Sequence, residues 1–155
     1  MSELAFTSMH DSAPATSPLA RALHGADGIR DLSLLGKLEV RRAHVETPPP
    51  GSELIRIMPT RSLVTCATER RAEVRDALPG FVVDVSAALA GIEVSGEQLM
   101  RRLTDLDLDA FPAAGKIAGV PAFASRDRDA FRIFFAQELG DSVVELVRDV
   151  QKGLA

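Results

Sequence analysis

The chain has 155 residues, 46% apolar and 26% charged, enough for one domain or two small lobes over a shared core. A net charge of −4 offers no phosphate-binding surface, which argues against nucleic acid as a partner, and the apolar stretches 81–85 and 87–92 are too short to span a bilayer. With no Trp or Tyr and seven Phe, the core must be largely aliphatic. Cys66 is the only cysteine, so an internal disulfide and a multi-thiolate metal site are excluded. Glu3 stands where a signal peptide needs positive charge, and no apolar segment follows it, so a cytoplasmic location is expected.

In chain order, residues 1–28 are rich in Ser, Ala, Thr and Pro and read as a flexible N-terminal tail. One helical turn is expected over 19–24, broken by Gly25 and Gly28. The alternation of Leu32, Leu34, Leu38 and Val40 predicts a strand interrupted at Gly36. The prolines of 47–52 remove backbone donors and force a loop. Segments 54–58 and 63–66 then predict a hairpin joined by 59–62. Thr68 is the expected N-cap of a helix running to about Leu78, with Val74 and Leu78 buried, stopped by Pro79-Gly80.

The β-branched run 81–85 predicts a strand, and 88–94 continues as extended chain around Gly91. Ser95-Gly96-Glu97-Gln98 has the form of a capping box ahead of a helix burying Leu99, Met100 and Leu103. Strands over 117–123 and 130–135 are expected to turn through 125–129. Alternation would place Phe131, Ile133 and Phe135 on one sheet face and Phe134 on the other, so both faces need cover. The last helix carries Leu139, Val143, Leu146, Val147 and Val150 at helical spacing and is expected to end at Gly153.

This order predicts an α+β fold, one domain over 29–155 with sub-halves of about 32–79 and 80–152. Leu35-Gly36-Lys37-Leu38-Glu39-Val40 parallels Ala90-Gly91-Ile92-Glu93-Val94, and each half closes with a hairpin and a helix. The expectation is a pseudo-duplication: two similar strand/hairpin–helix layers.

The second half resembles a known family. Val82-Val83-Asp84-Val85-Ser86, then 90–96 ending in Ser95-Gly96, then Leu103-Thr104-Asp105-Leu106-Asp107-Leu108 is similar to a segment shared by the folate-binding aminomethyltransferase superfamily. Within it the chain most resembles the gamma subunits of heterotetrameric sarcosine oxidase, on the strength of 117–123, Phe131-Arg132-Ile133-Phe134 and the terminal helix. The strand–turn–strand over 57–64 sits where those subunits carry one. The resemblance spans about 32–150.

It implies an aminomethyltransferase folate-binding-domain-like fold and a non-catalytic accessory subunit that docks on alpha/beta-type subunits. The holoenzyme so implied demethylates sarcosine oxidatively, with tetrahydrofolate as one-carbon acceptor, and its FAD, FMN, NAD and folate belong to the other subunits. No cofactor is expected in this chain. Two departures accompany the likeness. The G-G-x-x-D-D-type segment that holds the pteridine in aminomethyltransferases is replaced by Ala118-Gly119-Val120-Pro121-Ala122-Phe123, which has no acid, and no helix is expected between Val40 and the proline loop. Two alternatives stay open. One is a stand-alone folate-binding or one-carbon-transfer protein, with Asp84 or Glu93 as the pocket acid. The other is a self-associating scaffold, including a homodimer of the isolated chain.

No catalytic, cofactor or metal residue is assigned. Asp105, Asp107 and Asp109 alternate, but read better as a solvated turn than as cation ligands. Asp84 is expected to accept backbone hydrogen bonds at a strand end rather than to act with Ser86. His10, His24 and His44 read as linker or surface residues, and Cys66 as core. The basic residues Arg41, Arg42, Arg70, Arg71 and Arg75 are the candidate docking rim for an acidic partner.

Overall fold

The computed structural model describes residues 15–155. Strands β1 (Ile29–Asp31), β2 (Gly36–Arg41), β3 (Ser52–Met58) and β4 (Arg61–Cys66) precede helix α1 (Arg71–Ala77); β5 (Phe81–Asp84) and β6 (Leu89–Ser95) precede α2 (Glu97–Leu103). Strands β7 (Ala113–Ile117), β8 (Val120–Asp127) and β9 (Ala130–Ala136) lead into α3 (Gly140–Leu154). All strand pairs are antiparallel, in a five-stranded sheet ordered β1-β6-β9-β8-β7 and a four-stranded sheet ordered β3-β4-β2-β5. The α+β expectation holds.

The layers follow from side-chain alternation. Ala90, Ile92, Val94, Phe131, Ile133 and Phe135 face α2 and α3, packing on Leu99, Met100, Leu103, Val143, Val144 and Val147. Leu38, Val40, Val64 and Cys66 face α1 through Val74. Phe134, Leu32, Ile55 and Leu63 pack between the sheets. Phe134 therefore does point opposite to its neighbours, and the chain's own second sheet covers it.

Several local expectations are corrected. The helical turn expected over 19–24 does form, within hydrogen-bonded turns over 17–26, but Leu19 is fully buried against the α3 core rather than part of a tail. Gly140 makes room for it, since a Cβ there would overlap the leucine side chain. The expected tail thus ends before Leu19; residues 1–14 lie outside the described residues. The single strand over 32–40 is divided, because 32–35 turn and leave Leu34 exposed. Segment 117–123 is not one strand: Ile117 ends β7, Ala118 and Gly119 form the hairpin turn, and 120–123 begin β8. Ala118 and Gly119 hold φ of 52° and 79°, the positive pair that matches strand twist in a two-residue hairpin turn.

Neither predicted cap forms. Thr68 donates its hydroxyl to the Leu34 carbonyl instead, and α2 is capped across the hairpin by Asp129, whose carboxylate accepts from the Glu97 amide. Leu146 is exposed and Val144 takes its place in the core; α3 runs past Gly153 to Leu154.

The duplication is visible in the topology. Reading β3-β4-β2-β5 against β8-β9-β6-β1 gives the same order of hairpin, inner strand and edge strand, with β7 added at one end. The edge strands are exchanged: β1 leads into β2 but pairs with β6, and β5 leads into β6 but pairs with β2. Each crossover begins with the same turn. The Asp31 carboxylate accepts from the Ser33 amide, and that of Asp84 from the Ser86 amide. The serine hydroxyls then grip the opposite half: Ser33 bonds the amide and carbonyl of Gly91, and Ser86 those of Lys37.

Lys37 lies where the two crossovers meet and is fully buried. Its ammonium donates to the carbonyls of Ser33 (2.6 Å), Ser86 (3.0 Å) and Leu89 (2.8 Å), which uses all three of its protons. Burial lowers its pKa to about 8, against the opposing fields of Asp31 and Asp84, so it remains charged at neutral pH.

Two outcomes are expected. At Gly91 an added Cβ would meet the Phe134 ring at 2.7 Å and Leu32 at 3.2 Å, so Gly91→Ala should cost about 1–3 kcal/mol by overpacking, read from the urea midpoint, with Phe134→Leu recovering part of the loss. For Lys37, folded protein sheds its proton from about pH 8 while unfolded chain keeps it to about 10.5, so this group adds stability as pH rises through that window. Cys66 acts in the opposite sense, because burial pushes its thiol up, but it is common to wild type and Lys37→Met. The stability of wild type relative to Lys37→Met should therefore rise by about 3 kcal/mol across the window; a difference independent of pH would refute the buried ammonium.

Candidate functional site

The five arginines expected to form one rim fall on opposite faces of the four-stranded sheet. Leu38 and Val40 point to α1, so Glu39 and Arg41, between and beyond them, point to the inner face. Arg70, Arg71 and Arg75 lie on the α1 side. Arg71 pairs with Asp84 at 3.3 Å and Arg70 with Glu73 at 3.1 Å, while Arg70 also donates to the Pro50 carbonyl. Arg42 leaves β2 in the left-handed region, φ 60°, and is exposed. Arg42 and Arg75 have no ion-pair partner among the described residues.

The inner face is built in rows by cross-strand register. Glu53 lies opposite Thr65, which lies opposite Lys37; next come Ile55, Leu63, Glu39 and Val83; the last row is Met58, Arg61, Arg41 and Phe81. The five-stranded sheet covers the first two rows, through the Arg132–Glu53 ion pair and through Phe134 on Ile55 and Leu63. The third row stays open, with Met58 and Phe81 each 57% exposed. Arg41 and Arg61 share the Glu39 carboxylate at 2.9 and 2.5 Å. Burial raises the Glu39 pKa, but the two guanidinium partners outweigh it and hold the group below the usual carboxylate range.

Sequence reasoning found Arg41 and missed Met58, Arg61 and Phe81. Their signal is the register of β3, β4 and β5, which cannot be read before the pairing is known.

The remaining candidates are engaged structurally. Asp84 accepts from Ser86 as expected, and its pKa, raised by burial, is brought below the ordinary range by the Ser86 bonds and by Arg71 and Arg75. Asp107 caps a short 3₁₀ turn through the Asp109 amide, and Asp109 pairs with Arg126, so the three aspartates are not an extended row. Among the described residues no three potential ligands cluster for a metal. The Arg56 guanidinium spans His44 and the Val45 carbonyl; His10 lies outside the described residues. Cys66 is buried in the α1 core. A shallow depression of about 350 Å³ opens beside the crossovers, lined by Ser33, Leu34, Thr68, Arg71, Ser86 and Gln137 among others, and both serine hydroxyls in it are spent on backbone. Among the described residues no helix is long and apolar enough to cross a membrane.

No family model matches the chain, and no curated protein matches its sequence. Solved structures do. A chain of the heterotetrameric sarcosine oxidase from Corynebacterium sp. U-96, solved in complex with pyrrole 2-carboxylate, superposes with a TM-score of 0.72 at 16% identity, covering 90% of this chain and 95% of that one. A chain of an aspartokinase made of alpha and beta subunits reaches 0.49 at 10% identity, over 81% and 97% of the two chains. The protein Atu0741 of Agrobacterium tumefaciens reaches 0.38 at 11% identity, over 74% and 82%. Over 90% of its length the fold of this chain is related to that of a chain of heterotetrameric sarcosine oxidase.

Proposed function

We propose that this chain is an accessory, gamma-like subunit of a heterotetrameric sarcosine oxidase, a non-catalytic component that supports its partners. The observation that carries this reading is the mutual coverage of the superposition. With 90% of one chain matched to 95% of the other, the two are of nearly equal length, so the likeness is to one whole small chain of a multi-subunit oxidase and not to a piece of a large one. The order of motifs over 82–108 and 117–135 points to the same family. The local chemistry agrees: Ser33, Ser86, Asp31, Asp84 and Lys37, the polar groups at the crossovers, are committed to holding the two halves together. Under this reading the flavins, NAD and tetrahydrofolate are bound by alpha/beta-type subunits, and Arg41 and Arg42 at the end of β2 belong to a docking surface.

Co-expression of the full chain with the alpha/beta-type oxidase subunits of its own host tests the reading. The chain should elute with them in one peak carrying flavin absorbance. The isolated chain should bind no reduced folate at micromolar concentration in calorimetric titration. A chain that elutes alone beside an assembled oxidase would refute the accessory role, and micromolar folate binding by the isolated chain would favour a folate-binding protein in its place.

A further inference from the structure

We propose that the open third row of the four-stranded sheet, Met58, Arg61, Arg41 and Phe81, is the surface on which this chain docks a protein partner that presents carboxylates flanked by apolar contacts. The location rests on geometry and charge alone; the class of partner, a folded subunit, rests on the accessory-subunit reading.

Register places the four side chains side by side across four strands, a strip of about 14 Å at ordinary strand spacing. The rows behind it are sealed by the second sheet, and this one is not. Its two ends are the most exposed large apolar side chains among the described residues, at 57% each. Between them stand two guanidinium groups whose side chains are 48% and 39% exposed, sharing one carboxylate that is only 9% exposed. The strip therefore carries a net positive charge, and Arg42 beside it, exposed and without an ion pair among the described residues, adds another. Arginines flanked by exposed apolar side chains are the composition of an interface core rather than of a solvated face.

A second copy of the chain is a poor occupant. A two-fold axis would set the strip against itself reversed, bringing arginines against arginines with no free carboxylate between them, and like charges facing each other suppress that pairing. A partner with acidic groups between two apolar contacts matches both features.

Site-specific photocrosslinking of the full chain in its host tests the surface. p-Benzoylphenylalanine placed at position 81, or in a second variant at position 58, should crosslink to one and the same protein, while the same group at position 75 on α1 should not. Two changes on the strip should each reduce the crosslink from position 58 at least tenfold: Arg41→Glu, which leaves the Arg61–Glu39 pair in place, and Phe81→Asp at an already exposed site. Circular dichroism of both variants confirms the fold. If the captured protein is an oxidase subunit, the docking surface and the accessory role stand together. If it is another protein with the same sensitivity to both substitutions, the surface stands and the oxidase assignment falls. The surface is overturned by no crosslink from positions 58 and 81, by a crosslink indifferent to both substitutions, by capture of a second copy of this chain, or by an assembled complex that crosslinks only from position 75.

Discussion

One buried ammonium holds the architecture at its centre. Lys37 donates to carbonyls on both crossovers, the two segments that carry each edge strand to the opposite sheet. An ammonium taken out of water costs several kcal/mol, and the fold offsets this by turning three carbonyls toward it. The carbonyls of Ser33 and Ser86 sit in turns, where no ladder partner is at hand, and that of Leu89 at the first residue of β6, so the lysine satisfies turn acceptors that would otherwise be orphaned. The serine grips on Gly91 and on the Lys37 backbone work in the same direction. Neither half can complete its sheet without the strand supplied by the other, and the two halves are therefore one cooperative unit.

That constraint also shapes the surface. The crossovers pin the sheets together at one end, where Arg132 reaches Glu53 and Phe134 fills the space over Ile55 and Leu63. At the other end the inner face of the four-stranded sheet runs beyond its cover. Helices cover the outer faces of both sheets, and on the uncovered inner face Met58 and Phe81 remain on show. Glu39 marks the border: its carboxylate is tucked under the sheet edge while both of its arginine partners reach solvent.

Most of the elements were legible in the sequence because they rest on local pattern. The β3–β4 hairpin, the β-branched strand at 81–84, the Leu99–Met100–Leu103 face of α2 and the α3 stripe are all set by periodicity, and the opposite pointing of Phe134 follows from alternation alone. The errors fall where a distant residue decides. Ser95 and Thr68 look like caps, yet Asp129 and the Leu34 carbonyl lie closer once the hairpin and the crossover have formed. Ile117–Val120 looks like strand until Ala118 and Gly119 take positive φ. Leu19 reads as tail because the glycine that accommodates it, Gly140, comes at the far end of the chain. Of the candidate site, Arg41 was visible as basic sequence, but its neighbours in the row were not, and the five arginines parted into two faces because strand alternation and a helix, not proximity in sequence, place them.

The repeated Asp-x-Ser is the signal that was present and went unread. Asp31-Leu32-Ser33 and Asp84-Val85-Ser86 stand at equivalent points ahead of Leu38-Glu39-Val40 and Ile92-Glu93-Val94, and each glutamate of those strands collects two arginines, Arg41 and Arg61 or Arg30 and Arg132. Because the grips act on backbone atoms, they ask little of the residues gripped beyond a small one at Gly91, and the rest of each strand is free to vary within its apolar alternation. A fold held in this way tolerates wide divergence, which is consistent with a TM-score of 0.72 at 16% identity. The same reasoning separates two kinds of residue in this chain. Those at the crossovers answer to the fold, whereas Met58, Arg61 and Phe81 seal nothing within it, and the composition of that row is better explained by what the chain meets than by what it must hold together.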